Sequence, residues 1–130
     1  SGYSGRMLGA VANNKKYIGQ DIDSTHIKES EHIKNFLKLK NVSLSTKDIF
    51  ESSGEYECLF TCPPYNLKEI WGTDLRDLSC DQWIEECLKR FKCKKYLFVV
   101  DKTEKYKDFI VNIKDNSNHL TKSSEKIILI

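Results

Sequence analysis

The sequence predicts an α/β protein, an open and largely parallel sheet with helices on both faces. Short apolar segments rich in β-branched and aromatic residues alternate along the chain with segments whose apolar residues recur at helical spacing. Strands that alternate with helices form crossover connections, and these build parallel sheets. In such sheets ligands bind at the carboxyl ends of the strands, so residues that directly follow strands are the functional candidates.

Composition sets the broad class. The 130 residues are predicted to form one domain, residues 1–130, and the content of 39% hydrophobic and 31% charged residues is typical of a folded chain. The net charge of +2, from 21 basic and 19 acidic residues, is compatible with nucleic-acid binding but does not argue for it. No apolar run approaches the roughly 18 residues that span a bilayer, so no membrane partner is predicted.

Cysteine usage predicts an intracellular, cytoplasmic protein. The chain has an odd number of cysteines and no Cys-x-x-Cys pair, which favours reduced thiols. A zinc site built from Cys58, Cys62 and one histidine would fit no common finger spacing. No metal is therefore predicted.

The amino-terminal third carries two candidate features. Residues 1–5 form a Gly-rich turn that opens a helix, where free N–H groups and the positive dipole end suit a negatively charged ligand group. The strand over 16–23 brings Asp21 to about 20 residues after that turn, the place of the ribose-binding acid in nucleotide-binding folds. Asp23 or Ser24 is predicted to cap the helix that follows.

That helix is predicted to run to about Lys40, with His26 and His32 on its surface and four apolar side chains facing inward. The inward residues are Ile27, Ile33, Phe36 and Leu37. A short strand over 41–45 then leads to Asp48 and Ile49. An acid at this point could reach the exocyclic amine of a bound adenine, or it could cap the next turn.

The central stretch is a short apolar strand, 58–60, predicted to be buried and stopped by Pro63-Pro64. The prolines fix the backbone in an extended form that presents Tyr65 at its tip. Such an elbow can hold a planar group, with the ring stacked on its face and backbone carbonyls at its edge. The alternative is an ordinary Pro-Pro turn with a surface tyrosine. Residues 54–57 and 66–78 are predicted to be loops, the second lying over the mouth of the site.

The carboxyl-terminal half continues the alternation. Ser79 and Gln82 have capping-box spacing and begin a helix with an apolar stripe that reaches Phe91. Lys94-Lys95 separates this helix from a strand over 96–101 that is predicted to be buried on both faces. A helix is predicted over Thr103–Ile113, and a last strand over 127–130.

Three short motifs resemble those of the S-adenosylmethionine-dependent methyltransferases that modify amino groups of nucleic-acid bases. Residues 1–5 resemble the Gly-rich turn of the family's cofactor motif, and 17–21 resemble the following strand with its ribose-binding acid. Residues 61–65, Thr-Cys-Pro-Pro-Tyr, resemble the catalytic Asp/Asn/Ser-Pro-Pro-Tyr/Phe motif. In these motifs the chain resembles the phage and prophage DNA methylases, which combine a similar Gly-rich start with a Pro-Pro-Tyr motif.

The resemblance implies a Rossmann-like methyltransferase sheet, S-adenosylmethionine as cofactor, and methylation of an adenine or cytosine amino group in DNA. The base would be flipped out of the duplex into the site. The implied catalytic residues are Cys62, Pro63, Pro64 and Tyr65. The implied cofactor-binding residues are Gly2, Tyr3, Ser4, Gly5, Asp21, Ile22, Asp48 and Ile49.

The sequence departs from the family pattern in three respects. Cys62 stands where the family has Asp, Asn or Ser, and a thiol is a poor acceptor. The acid and proline that precede the Gly-rich turn, with the first strand, do not occur before Ser1, and no target-recognition region follows Ile130. We therefore expect a truncated domain that lacks its first strand and depends on another segment or a partner.

These departures leave three other hypotheses about the function open. One is an RNA or protein-glutamine methyltransferase, which would use a similar turn and elbow. Another is an inactive remnant that binds nucleic acid or a partner. A plain nucleotide-binding or structural α/β domain is the third.

Overall fold

The computed structural model describes residues 4–63, 78–111 and 126–130. The chain divides into two compact units, Ser1–Ser52 and Ser53–Ile130. Both units combine helices with strands, and each contains a parallel strand pair. The predicted α/β class is confirmed.

The first unit is a strand–helix–strand element preceded by a helix. Its elements are α1 (Gly5–Ala12), β1 (Tyr17–Asp21), α2 (Ser24–Phe36) and β2 (Val42–Thr46). Strands β1 and β2 pair in parallel, from Tyr17 opposite Val42 to Asp21 opposite Thr46. Met7 of α1 and Ile27 of α2 are buried, because the apolar stripe of each helix faces inward. The carboxyl ends of both strands consequently lie at one edge.

Helix α2 ends earlier than predicted, and its last apolar residues face outward. Lys38 adopts the left-handed conformation, with φ of 52°. The N–H of Lys38 donates to the carbonyl of Asn35, and the N–H of Leu39 donates to the carbonyl of Lys34. This is a Schellman ending without the usual glycine, so the sequence gives no stop signal. Phe36 is 86% exposed and Leu37 is 48% exposed, which makes the inward prediction wrong for both.

The second unit is a mixed sheet with one helix. Its elements are β3 (Gly54–Thr61), α3 (Cys80–Arg90), β4 (Phe91–Val100), β5 (Ile110–Val111) and β6 (Lys126–Leu129). Within the described residues the strand order is β3-β4-β6-β5. Strand β4 is parallel to β3 and antiparallel to β6, which in turn is antiparallel to β5. Ile84 and Cys87 of α3 are buried, as are Phe98, Val100 and Ile128 of the sheet.

Strand β3 is longer and more exposed than predicted. It begins at Gly54, opposite Phe91, so the predicted loop over 54–57 is strand. Cys58 is exposed and Phe60 is 41% exposed, and burial is reached only at Thr61. The prediction of a buried strand at 58–60 is therefore wrong. The pair Lys94-Lys95 lies inside β4, because backbone pairing with β3 continues through this charged stretch.

The predicted helix over Thr103–Ile113 is also wrong over its described part, which ends at Val111. A 3₁₀ turn, Lys107–Phe109, leads into the short strand β5. Upstream of it, the carboxylate of Asp81 accepts hydrogen bonds from the Thr103 hydroxyl (2.5 Å) and from the N–H groups of Glu104 and Lys105 (3.1 Å each). Ile110 and Val111 pair with β6. These non-local partners hold the segment away from the helix that its apolar spacing favours.

Candidate functional site

One edge of the first unit collects four of the predicted cofactor residues. Asp21 ends β1 opposite Thr46, and the N–H of Lys47 donates to the Asp21 carbonyl at 2.9 Å. Asp48 therefore follows the carboxyl end of β2 directly beside the carboxyl end of β1. Ile22 is 42% exposed and Ile49 is half-buried, which gives this edge an apolar surface beside its two carboxylates.

The Asp21 carboxylate is held by its own turn and lies beside a histidine. Its side chain is 13% exposed, and Oδ1 accepts the N–H of Asp23 at 3.0 Å. Oδ2 lies 3.8 Å from Nδ1 of His26, whose side chain is 12% exposed. The prediction that His26 is a surface histidine is wrong, because the first turn of α2 folds it over the end of β1. The predicted cap of that helix is confirmed, since Asp23 accepts the N–H of Thr25 at 2.8 Å.

Asp48 has a structural task in this edge. Its Oδ1 accepts the N–H of Phe50 at 2.9 Å and so caps the 3₁₀ turn Ile49–Glu51. The capping alternative is thus observed. Contact between Asp48 and an adenine amine stays a prediction.

The Gly-rich turn is described from Ser4 onward, and Gly2 and Tyr3 lie outside the described residues. Ser4 adopts the left-handed conformation, with φ of 65°. Its hydroxyl is buried and hydrogen-bonds the Ser30 hydroxyl of α2 at 2.6 Å, so it does not cap α1. Among the described residues, a Cβ placed on Gly5 would meet no atom within 4 Å outside its chain neighbours and the backbone of α1. The first turn of α1 therefore has N–H groups that no Ser4 side chain caps, an arrangement that suits a negatively charged group.

The second unit brings the described part of the Pro-Pro motif to the carboxyl edge of its own parallel pair. Thr61, buried and opposite Phe98, is the last residue of β3, and Cys62 and Pro63 follow it. Cys62 is half-buried and Pro63 is buried. Pro64 and Tyr65 lie outside the described residues. The described part of the motif thus stands at the end of a parallel strand, where the sequence analysis expects a ligand site.

Asp101 stands at the same edge and is not among the site residues predicted from the sequence. It directly follows β4, and its Oδ1 accepts a hydrogen bond from the Cys80 thiol at 3.2 Å. Burial raises the pKa of Cys80 and the hydrogen bond to Asp101 raises it further, so the thiol keeps its proton and remains a donor. The available signal was the one that identified Asp21, an acid at the end of an apolar strand.

The described residues also bear on the cysteines, on possible metal sites and on possible membrane spans. None of the five cysteines forms a disulfide in the structure, and their reduced state stays a prediction. In residues 4–63, 78–111 and 126–130, no group of three or more His, Cys, Asp or Glu side chains could hold a metal ion. No helix in this part of the chain is long and apolar enough to cross a bilayer.

The fold has a counterpart among solved structures. No protein-family model matches the sequence, and no curated protein matches it either. The crystal structure of "putative methylase HI0767" from Haemophilus influenzae superposes with a TM-score of 0.62 at 13% identity, covering 99% of this chain and 82% of that chain. A structure of Thermoplasma acidophilum 1320 gives a TM-score of 0.42 at 14% identity over 95% of this chain and 83% of that chain, and it carries no functional argument. At these identities the likeness concerns the fold, so the chain shares the α/β fold of HI0767.

Proposed function

We propose that this protein transfers a methyl group from S-adenosylmethionine to the exocyclic amino group of an adenine or cytosine in DNA. The observation that carries the proposal is the Thr-Cys-Pro-Pro-Tyr sequence, whose Thr61 ends the parallel strand β3 and whose Cys62 and Pro63 directly follow that strand end. The fold shared with HI0767 supports methyl transfer in general. The choice of an amino group on a base rests on the Pro-Pro-Tyr resemblance.

The residues of the first unit fit the cofactor in this proposal. The open N-terminus of α1 at Ser4 and Gly5, preceded by Gly2 and Tyr3, would hold its carboxylate end. The Asp21 carboxylate would accept hydrogen bonds from the ribose hydroxyls. Ile22 and Ile49 would pack against the adenine ring, with Asp48 at its amine. When bound, the cofactor supplies an electrophilic methyl group on a sulfonium sulfur.

The second unit would position the amino group that receives the methyl. The backbone carbonyl of Pro63 accepts one N–H of that group, which increases the electron density of its nitrogen. The Cys62 side chain stands beside it, and the Tyr65 ring stacks on the face of the flipped base. No covalent bond to the chain is needed, so catalysis consists of positioning and electrostatic stabilisation.

The test is methyl transfer from isotopically labelled S-adenosylmethionine to DNA and to RNA. The products are digested to nucleosides and identified by mass spectrometry. We expect labelled methyladenine or methylcytosine from DNA. Label only in RNA would make RNA the substrate in place of DNA. Cofactor binding without transfer to any of them would identify a binding remnant, and the absence of both would leave an α/β domain of another function.

Cofactor binding is tested separately by Asp21→Ala. Removing a charged acceptor from a ribose hydroxyl pair should weaken S-adenosylmethionine binding by about 1.5–3 kcal/mol, measured by titration calorimetry. Asp23→Ala is the matched control, because it removes the neighbouring carboxylate and the α2 cap but no proposed ribose contact. Equal affinities of Asp21→Ala and Asp23→Ala would remove Asp21 from the cofactor site.

A further inference from the structure

We propose that the Asp101 carboxylate accepts a hydrogen bond from the target amino group. It would take the role that the family gives to the acid or amide at the position of Cys62. This inference rests on the proposed function and adds a catalytic residue to it. A thiol accepts hydrogen bonds poorly, so the elbow by itself offers the amino group one good acceptor, the Pro63 carbonyl. A carboxylate at the same edge supplies the second.

The strand register places Asp101 next to the elbow. Thr61 pairs with Phe98, so Cys62 lies one residue past that pair on β3 and Asp101 lies three residues past it on β4. Parallel strands lie about 4.8 Å apart and rise about 3.3 Å per residue, so ideal strands continued past these two ends would put the Cα of Asp101 roughly 6 Å from that of Pro63 and roughly 8 Å from that of Cys62. One amino group can contact acceptors on both sides of a gap of this size.

The surroundings of Asp101 leave its carboxylate oriented. The Cys80 thiol, in the first turn of α3, donates to Oδ1, and the Lys126 ammonium of β6 lies 3.4 Å from the Asp101 carbonyl. Because the Cys80 thiol keeps its proton, it remains a donor and holds one oxygen of the Asp101 carboxylate. Cys80 is in this account a positioning residue.

The chemical step balances with these groups. The amino nitrogen uses its lone pair to form the N–C bond, and the pair of the breaking S–C bond stays on sulfur, giving a neutral thioether. The nitrogen then carries a positive charge and one proton too many. Asp101 accepts that proton and later releases it to water, while Pro63 keeps the nitrogen oriented.

The experiment compares Asp101→Asn with Asp108→Asn, an exposed aspartate that receives the same chemical change. We expect kcat for DNA methylation to fall about 100-fold in Asp101→Asn and to stay unchanged in Asp108→Asn. In a Cys62→Asp background, which restores an acid to the elbow, Asp101→Asn should cost less than tenfold.

A binding measurement tests the same contact without turnover. The protein should bind an oligonucleotide with the target base more tightly than one whose base lacks the amino group, and Asp101→Asn should reduce this preference. If Asp101→Asn does not fold, Cys80→Ala replaces it, with an expected several-fold loss of kcat at unchanged KM. Transfer undiminished in these variants overturns the role of Asp101 alone. Absence of transfer by the unaltered protein overturns the proposed function as well.

Discussion

The hydroxyl pair of Ser4 and Ser30 offers a quantitative test of how the Gly-rich turn is held. Both residues are buried, 2% and 1% exposed, and their oxygens lie 2.6 Å apart. Changing either serine to alanine removes one hydrogen bond and leaves the other hydroxyl buried without that partner. This should cost about 1–3 kcal/mol of unfolding free energy. For Ser30→Ala the loss is reduced by about 0.5 kcal/mol, because alanine favours the helix.

The double variant separates this account from a general packing effect. Replacing both hydroxyls removes the unpaired polar group, so Ser4→Ala with Ser30→Ala should lose about 1–2 kcal/mol less than the sum of the single variants. Urea unfolding followed by circular dichroism measures all three, with exposed Ser24→Ala as the control at less than about 0.5 kcal/mol. Single losses that add to within about 0.5 kcal/mol would refute the reasoning, since independent sites behave in that way.

Two further predictions concern the second unit. Burial of the Asp81 carboxyl raises its pKa, but the hydrogen bonds from Thr103 and from the Lys105 and Glu104 N–H groups outweigh it and hold the pKa below the ordinary 3.8. The folded state therefore binds this proton less tightly than the unfolded state, so Asp81 should stabilise the fold above about pH 4 and lose that contribution as the pH falls further. Asp81→Asn should lower the free energy of unfolding by about 1–2 kcal/mol at pH 7 and by less at pH 3, measured by unfolding at both pH values. An equal loss at both pH values would exclude the charge of Asp81 as the cause. Burial raises the pKa of Cys87 to about 12, so a thiol reagent at pH 8 should modify Cys87 only when urea unfolds the protein. Peptide mass spectrometry locates the modified thiol. Rapid labelling of Cys87 in the native protein would contradict its burial.

Local signals in the sequence predicted the helix beginnings well. The Ser79–Gln82 capping box is present in full, with the Ser79 hydroxyl accepting the N–H of Gln82 and the Gln82 side chain accepting the N–H of Ser79. Asp23 caps α2 as predicted. Each of these interactions joins residues two or three apart, so the residue types at that spacing carry the information.

Burial was predicted less well, because it depends on neighbours that are distant in sequence. Phe36 fits the helical apolar stripe, yet the Schellman ending leaves it beyond the packed part of α2. Phe60 is a residue type that favours a buried strand, yet it is exposed and Thr61 is the buried residue of β3. Side-chain type gives a preference for burial, whereas the packing partner decides it.

Both units use a carboxylate to hold backbone N–H groups near the end of a parallel strand. Asp21 and Asp48 each bind the N–H two residues ahead, whereas Asp81 binds N–H groups more than 20 residues away. The first kind could be anticipated from the sequence, and the second could not. The prediction of a helix from Thr103 failed for this reason.

The neighbouring Cys80 connects the same helix start to Asp101. The first turn of α3 therefore fixes both the path of the chain after β4 and the carboxylate proposed to act on the substrate. Loss of Asp81 should therefore affect methyl transfer as well as stability, because it loosens the segment that carries Asp101.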